Sequence, residues 1–284
     1  MGHRQLLRAT FVVTAMGLLS VAPAAGEFRA AIAVQRVTPE TLLPVSGGVG
    51  PSDPTTRKMG ELTVRALVLE RDDTRVAICS TDFLGFPGVL CEKVRTQVSH
   101  VPASNIVIGA THTHSAPDCY GFPDESGNTS CDLAYLDSVC SALAQAIDTA
   151  AAGLQPAAVK IATGIARGRI AYNYYAEKLY DPRCHVLQVV GRDRKPIATL
   201  VNYACHPEVL GSDQGILSPD FVGPLYDRIE AKGGGTGIFM NSAQGGMVTA
   251  PCRRWPDLEP TCTDEWSFLP ELQPLLRGTL VGRP

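Results

Sequence analysis

The stretch Ile106-Val107-Ile108-Gly109-Ala110-Thr111-His112-Thr113-His114-Ser115 constrains this chain more than any other. An apolar, β-branched run passes directly into two histidines two positions apart. Such a run predicts a buried strand. On an extended chain, residues i and i+2 point to the same side. The strand should therefore end with two imidazoles together, where a buried sheet meets solvent. Neutral imidazole is the commonest protein ligand for zinc and related metals. The chain has only six histidines, and two of them sit here.

A third histidine repeats the arrangement. Ala198-Thr199-Leu200-Val201-Asn202-Tyr203-Ala204 reads as another apolar strand, running into Cys205-His206-Pro207. Pro207 cannot continue a ladder, so the strand should stop at His206. His206 lies 92 residues beyond His114. That is far too distant for a local zinc knuckle, so the fold would have to assemble the site. Sites with few protein ligands and an open position are the catalytic kind. His112, His114 and His206 are the expected metal ligands, with zinc as the cofactor.

Other groups near these strand ends carry chemistry or a plain structural job. Asp82 lies just past a strand end, where it could orient a histidine through its second nitrogen or simply cap a loop. Asp118 is a candidate general base, or a turn residue before Cys119. Gly245 and Gly246 follow a strand, and their backbone N–H groups could approach a substrate oxygen; a plain turn would also explain them. Glu208 follows Pro207, which leaves its direction open. Cys205 adjoins His206 and should face the other way on an extended chain.

Asn202-Tyr203-Ala204-Cys205-His206-Pro207, the Thr111–Asp118 segment T-H-T-H-S-A-P-D, and Gln244-Gly245-Gly246-Met247-Val248 together resemble the N-terminal catalytic domain of neutral/alkaline non-lysosomal ceramidases. The likeness includes Arg65-Ala66-Leu67-Val68-Leu69 and Ser80-Thr81-Asp82-Phe83-Leu84-Gly85, in the same order, from about Ala30 to Ala250. The resemblance implies an α/β fold, with a mixed β-sheet covered by helices. It also implies a zinc-dependent amidase that splits the N-acyl linkage of ceramide-like lipids, with His112, His114 and His206 on the zinc. An N-acyl lipid or another amide would be the substrate, with peripheral contact to a membrane. The departures are specific. The family carries a functional Ser and an Asp where this chain has Val248 and Gly246, and an Arg where it has Tyr174. Nothing after Ala250 resembles the continuation that supplies the family's remaining zinc ligands, a Glu and a Tyr. The expectation is therefore a truncated relative. A non-catalytic or inactive ceramidase-like module is the alternative. A TIM-barrel amidohydrolase also begins with H-x-H on a strand, but usually needs further His, Lys and Asp ligands.

The amino terminus predicts export. Arg4 and Arg8 precede an apolar run from Ala9 to Val21, and Ala22-Pro23-Ala24 gives an A-x-A cleavage pattern, the three parts of a signal peptide. The expected organisation is a signal peptide at 1–25, one ceramidase-like domain at 26–250, and an atypical, loosely ordered tail at 251–284. The product should be secreted or periplasmic. With 45% hydrophobic and 19% charged residues, the chain can build a core. A net charge of −3 without a basic patch excludes a nucleic-acid footprint. Nine cysteines in an exported chain suggest disulfides. Cys119–Cys131 would staple the polar loop between them, and Cys252–Cys262 would flank the tail. Cys79 and Cys205 sit in apolar runs as buried thiols.

Alternating patterns predict strands at 64–70, 75–81, 186–190, 197–204 and 238–241. Helices are predicted at 89–100, at 133–151, and from an N-cap Ser218 with Pro219 at N1 to the glycines at 233–235. No internal repeat is visible in the sequence.

Overall fold

The computed structural model describes residues 26–166 and 171–250 and the backbone of the strand pair Leu280–Val281. The expected signal peptide, the Cys252–Cys262 bridge and most of the tail lie outside the described residues.

Eight strands form one mixed sheet. We number them β1 (Arg29–Arg36), β2 (Thr63–Arg71), β3 (Thr74–Thr81), β4 (Ile106–Ala110), β5 (Gln155–Ile165), β6 (Arg183–Gly191), β7 (Pro196–Tyr203) and β8 (Thr236–Asn241). Their spatial order is β8-β7-β6-β5-β1-β2-β3-β4, and Leu280–Val281 adds a short antiparallel ninth strand on β5. Three helices complete the frame: α1 (Gly88–Arg95), α2 (Leu133–Ala152) and α3 (Val222–Ala231). This is the expected α/β class with a mixed sheet. It is not a TIM barrel, because most neighbouring strands are antiparallel and only β3–β4 and β7–β8 run parallel.

The topology repeats where the sequence does not. In the first half, antiparallel β1, β2 and β3 are followed by the α1 crossover and by β4 parallel to β3. In the second half, antiparallel β5, β6 and β7 are followed by the α3 crossover and by β8 parallel to β7. The halves join through a short antiparallel pairing of β1 with β5, Arg29 opposite Pro156 and Ala30 opposite Gln155.

Period-two patterning then places the layers. On β2, Val64, Ala66 and Val68 face a core shared with Leu90 and Val94 of α1 and Leu136, Leu143 and Ile147 of α2. Leu67 and Leu69 face the other way, into a core shared with Val189, Leu200 and Ile238 of the second half. On that half, Val201 and Phe239 pack outward against Val222, Tyr226 and Ile229 of α3. The sheet is thus folded on itself, helix–sheet–sheet–helix, with apolar residues on both faces of its central strands. Hydrogen bonds cross the seam between the halves. Ser80 Oγ donates to Phe239 O, Arg65 Nη1 to Gly237 O at 2.7 Å, and Asn241 Nδ2 to Thr111 O at 2.6 Å.

Two helix boundaries differ from expectation. α1 stops at Arg95 rather than continuing to His100, with the Thr96 N–H closing on Glu92 O. α3 begins at Val222, not at Pro219. Asp220 adopts φ 56° between Ser218 and the helix, and this left-handed residue breaks the first turn that Ser218-Pro219 would open. α2 matches its predicted span, capped by the Asp132 side chain on the Tyr135 N–H. The expected Cys119–Cys131 bridge is not formed. All seven cysteines within the described residues are free thiols, and Cys119 Sγ instead donates to Gly85 O at 3.2 Å.

Candidate metal centre

Four strand ends converge on one place. They are the carboxyl ends of β3 and β4 in the first half and of β7 and β8 in the second, the usual address for a ligand site in an open α/β sheet. Backbone hydrogen bonds lock the loops that follow. Thr111 N donates to Thr81 O, His112 N to Phe83 O, His114 N to Pro207 O and His206 N to Val248 O, at 2.8–3.0 Å. Short pairings of Val45–Ser46 with Ala116–Pro117, and of Tyr172–Asn173 with Val248–Thr249, add further ties.

The two histidines of the first loop do share a side. Thr111, Thr113 and Ser115 are fully buried, whereas His112 and His114 between them are partly open. Strand alternation is not the whole reason. β4 ends at Ala110, and His112 sits at φ 71°, a left-handed conformation that costs a non-glycine residue roughly 1–2 kcal/mol. Thr113 Oγ1 donates to Ser218 O at 2.9 Å, holding the loop onto the second half.

His112, His114 and His206 come together. One ring nitrogen from each lies within 4.8 Å of the others, and the ring centroids are 4.7–5.6 Å apart. The second nitrogens decide which atoms face the centre. His112 Nδ1 meets Leu84 O at 2.5 Å, and His206 Nδ1 meets Val248 O at 2.8 Å. A ring nitrogen facing a carbonyl carries the proton, so Nε2 of both rings keeps its lone pair. His114 Nε2 is buried and has no hydrogen-bond partner. Burial pushes the His112 imidazolium below its usual range. Burial, followed by the neighbouring His112 and His206, pushes His114 down to about 3. The result is three converging imidazoles, two with Nδ1 turned to a backbone carbonyl and the third with an orphaned buried Nε2, which fits a borderline divalent cation such as Zn²⁺.

The other expected participants fare differently. Asp82 does not reach a histidine. Its Oδ2 accepts from Thr63 N at 2.8 Å and Thr63 Oγ1 at 2.7 Å, and the same hydroxyl accepts from Arg65 Nε at 3.0 Å. The Arg65 guanidinium lies 3.5 Å above the Tyr226 ring. Asp82 thus anchors a buried polar network at the seam, and burial holds its carboxyl above the usual range. Asp118 is 2% exposed, and its oxygens accept from the N–H groups of Tyr120 and Gly121 at 2.8–3.2 Å, closing a turn. Gly245 and Gly246 form an exposed turn before Val248. A Cβ on Gly246 would lie 2.9 Å from Asn173 Nδ2, so only glycine fits there without a shift, whereas Gly245 has open space. The Cys205 side chain is fully buried in the core beneath α3, away from the imidazoles.

Glu208, whose direction the sequence left open, lies beside the His114 ring. Its Oε2 lies 3.6 Å from His114 Nδ1, and its Oε1 is buried with no hydrogen-bond partner. Thr249 Oγ1 is likewise buried without a partner, on a residue bridged to His206. Val248, aligned with the serine of the resembled family, buries its side chain in the core and gives its carbonyl to both the backbone N–H and Nδ1 of His206.

No protein-family model matches the sequence, and no curated protein does. Solved structures do match. Neutral ceramidase from Pseudomonas aeruginosa superposes with a TM-score of 0.73 at 18% identity, over 91% of this chain and 46% of that one. A ceramidase complexed with C2 gives 0.73 at 16% identity, over 91% and 45%. The chain spans a little under half the length of these proteins, and over that length it has their fold.

Proposed function

We propose that this protein is a metal-dependent hydrolase of the ceramidase type, with His112, His114 and His206 holding one Zn²⁺. The substrate class is N-acyl lipids cleaved at the amide. The observation that carries the reading is the convergence of three imidazoles within 4.8 Å, on a fold shared with neutral ceramidases. Zinc at such a site lowers the pKa of water toward about 7 and polarises a carbonyl. Within the chain, Leu84 and Val248 carbonyls fix the tautomers of His112 and His206 and aim their Nε2 atoms. The loop hydrogen bonds hold the three rings at fixed separations, which keeps the cost of ordering them low when the ion binds. In this reading the backbone N–H groups of the exposed Gly245-Gly246 turn would serve a substrate oxygen. The amino-terminal pattern supports export as part of the same reading.

Turnover should be slow. Val248 and Tyr174 stand where the resembled family has a serine and an arginine, and one missing preorganised donor commonly costs on the order of 10²–10³ in rate. The test combines metal content with fatty-acid release from a fluorescent ceramide. We expect about one zinc per chain, lost in His112→Ala, His114→Ala and His206→Ala, together with slow release that disappears in His114→Ala. Zinc without turnover would leave a metal-binding module. Zinc content unaffected by the three substitutions would sink the assignment.

A further inference from the structure

We infer that Glu208 is the charged member of this centre. Its carboxylate balances the cation held by the three imidazoles and steadies His114 against it. This rests on the reading that those imidazoles bind a divalent metal.

The carboxylate is delivered by a tight turn. Glu208 N donates to His206 O at 3.0 Å across Pro207, while Pro207 O accepts from His114 N at 3.0 Å. The turn joins the two histidine loops and leaves Glu208 Oε2 3.6 Å from His114 Nδ1. The side chain is 13% exposed, and Oε1 is buried with no donor. Among the described residues no lysine or arginine pairs with it; His114 is its one ion-pair neighbour.

The other carboxylates around these loops show what a structural one looks like. Asp220 gives both oxygens to backbone N–H groups, Oδ2 to Leu210 and Oδ1 to Phe221. Asp118 gives both to the turn at Tyr120 and Gly121, and Asp82 is taken by Thr63. Glu208 has no such employment. A carboxylate left buried with an empty oxygen and no lysine or arginine beside it is costly. A divalent cation among the three Nε2 atoms supplies the positive charge. A carboxylate beside the outer nitrogen of a ligating imidazole raises that ligand's basicity and fixes its orientation. The present 3.6 Å separation is beyond hydrogen-bond length, so binding should shorten it. Glu208 is therefore a positioning and charge-balancing residue.

Glu208→Gln tests this, since it removes the charge and keeps the shape. Competition titration with a chromophoric chelator gives the zinc affinity, and Co²⁺ in place of zinc gives a visible absorption spectrum. We expect affinity to fall roughly 10–100-fold and the Co²⁺ bands to shift. In chelator, the variant should melt at or above the wild-type temperature, because an uncompensated buried charge is gone. Wild-type affinity with an unchanged Co²⁺ spectrum would overturn the inference. So would a lower melting temperature of the metal-free variant, which would mark a structural role. If wild-type protein binds no zinc, or His114→Ala binds as wild type, the histidine centre itself fails and the role of Glu208 fails with it.

Discussion

His112 is asked to do two things that pull against each other, and paired substitutions separate them. As a ligand it offers Nε2, with Nδ1 on Leu84 O. As a backbone residue it sits at φ 71°, where a side chain costs roughly 1–2 kcal/mol and glycine costs nothing. His112→Ala keeps the backbone cost and loses the hydrogen bond to Leu84, worth about 0.5–1.5 kcal/mol. His112→Gly loses the same bond but relieves the backbone, at about 0.5–1 kcal/mol of extra chain entropy in the unfolded state. In chelator, the glycine variant should therefore be the more stable of the two by up to about 1 kcal/mol. In a chain of this size that is roughly 2–4 °C in melting temperature. Added zinc at 100 times its dissociation constant should stabilise wild type by about 2.7 kcal/mol and neither variant measurably. Differential scanning fluorimetry with chelator and with zinc reads both effects. Equal melting temperatures for the alanine and glycine variants would refute the strain argument. A zinc-induced shift surviving in either would refute the ligand assignment.

Two further outcomes follow from the buried carboxylates. Asp82→Ala strips the buried Thr63 N–H and hydroxyl of their acceptor, which typically costs about 1–3 kcal/mol; urea midpoints should show that loss while zinc affinity in the folded variant is unchanged, and a zinc defect at full stability would restore Asp82 to the metal centre. Burial raises the Asp220 carboxyl to about 6 from 3.8, so its protonated form is favoured in the folded state. The stability it contributes is present below pH 3.8 and is lost as pH rises through about 6, a difference of about 3 kcal/mol. Asp220→Asn should therefore gain on wild type between pH 4 and pH 7 by about that amount, and parallel pH profiles would refute the shift.

Much of the frame was legible because it rests on local pattern. The runs before His112 and His206 have the β-branched, apolar composition of buried strands, and both form strands; β7 is buried as that composition implies, but β4 is the edge of the sheet, with Ile106 buried and Val107 exposed. α2 was legible from its Ala- and Leu-rich sequence and its Asp132 cap. β1 and β5 were not read as strands. β5 opens on Gln155-Pro156, and Pro156 pairs only with Arg29 at the short junction of the halves, a non-local contact that the sequence does not announce. The convergence of the histidines was legible, but the means was not. A left-handed His112 has no sequence signature, since the favourable alternative at such a position is glycine. Asp82 and Asp118 were ambiguous for a general reason. A carboxylate after a strand end can face a ligand or fold back on backbone N–H groups, and only the loop geometry decides. Glu208 was hidden by Pro207, because the turn that aims it depends on the pairing of two loops far apart in sequence.

The repeated topology puts the imidazoles on both sides of a seam. His112 and His114 belong to the first half and His206 to the second, with the Ser80, Arg65 and Asn241 hydrogen bonds running alongside. An ion held by all three rings would be a rivet between two otherwise complete layers. Its affinity and the free energy of parting the layers would be one quantity measured from two ends. Amide hydrogen exchange on the strands flanking the seam would slow on metal loading, whereas α2, packed wholly within the first half, would exchange at the same rate with and without it.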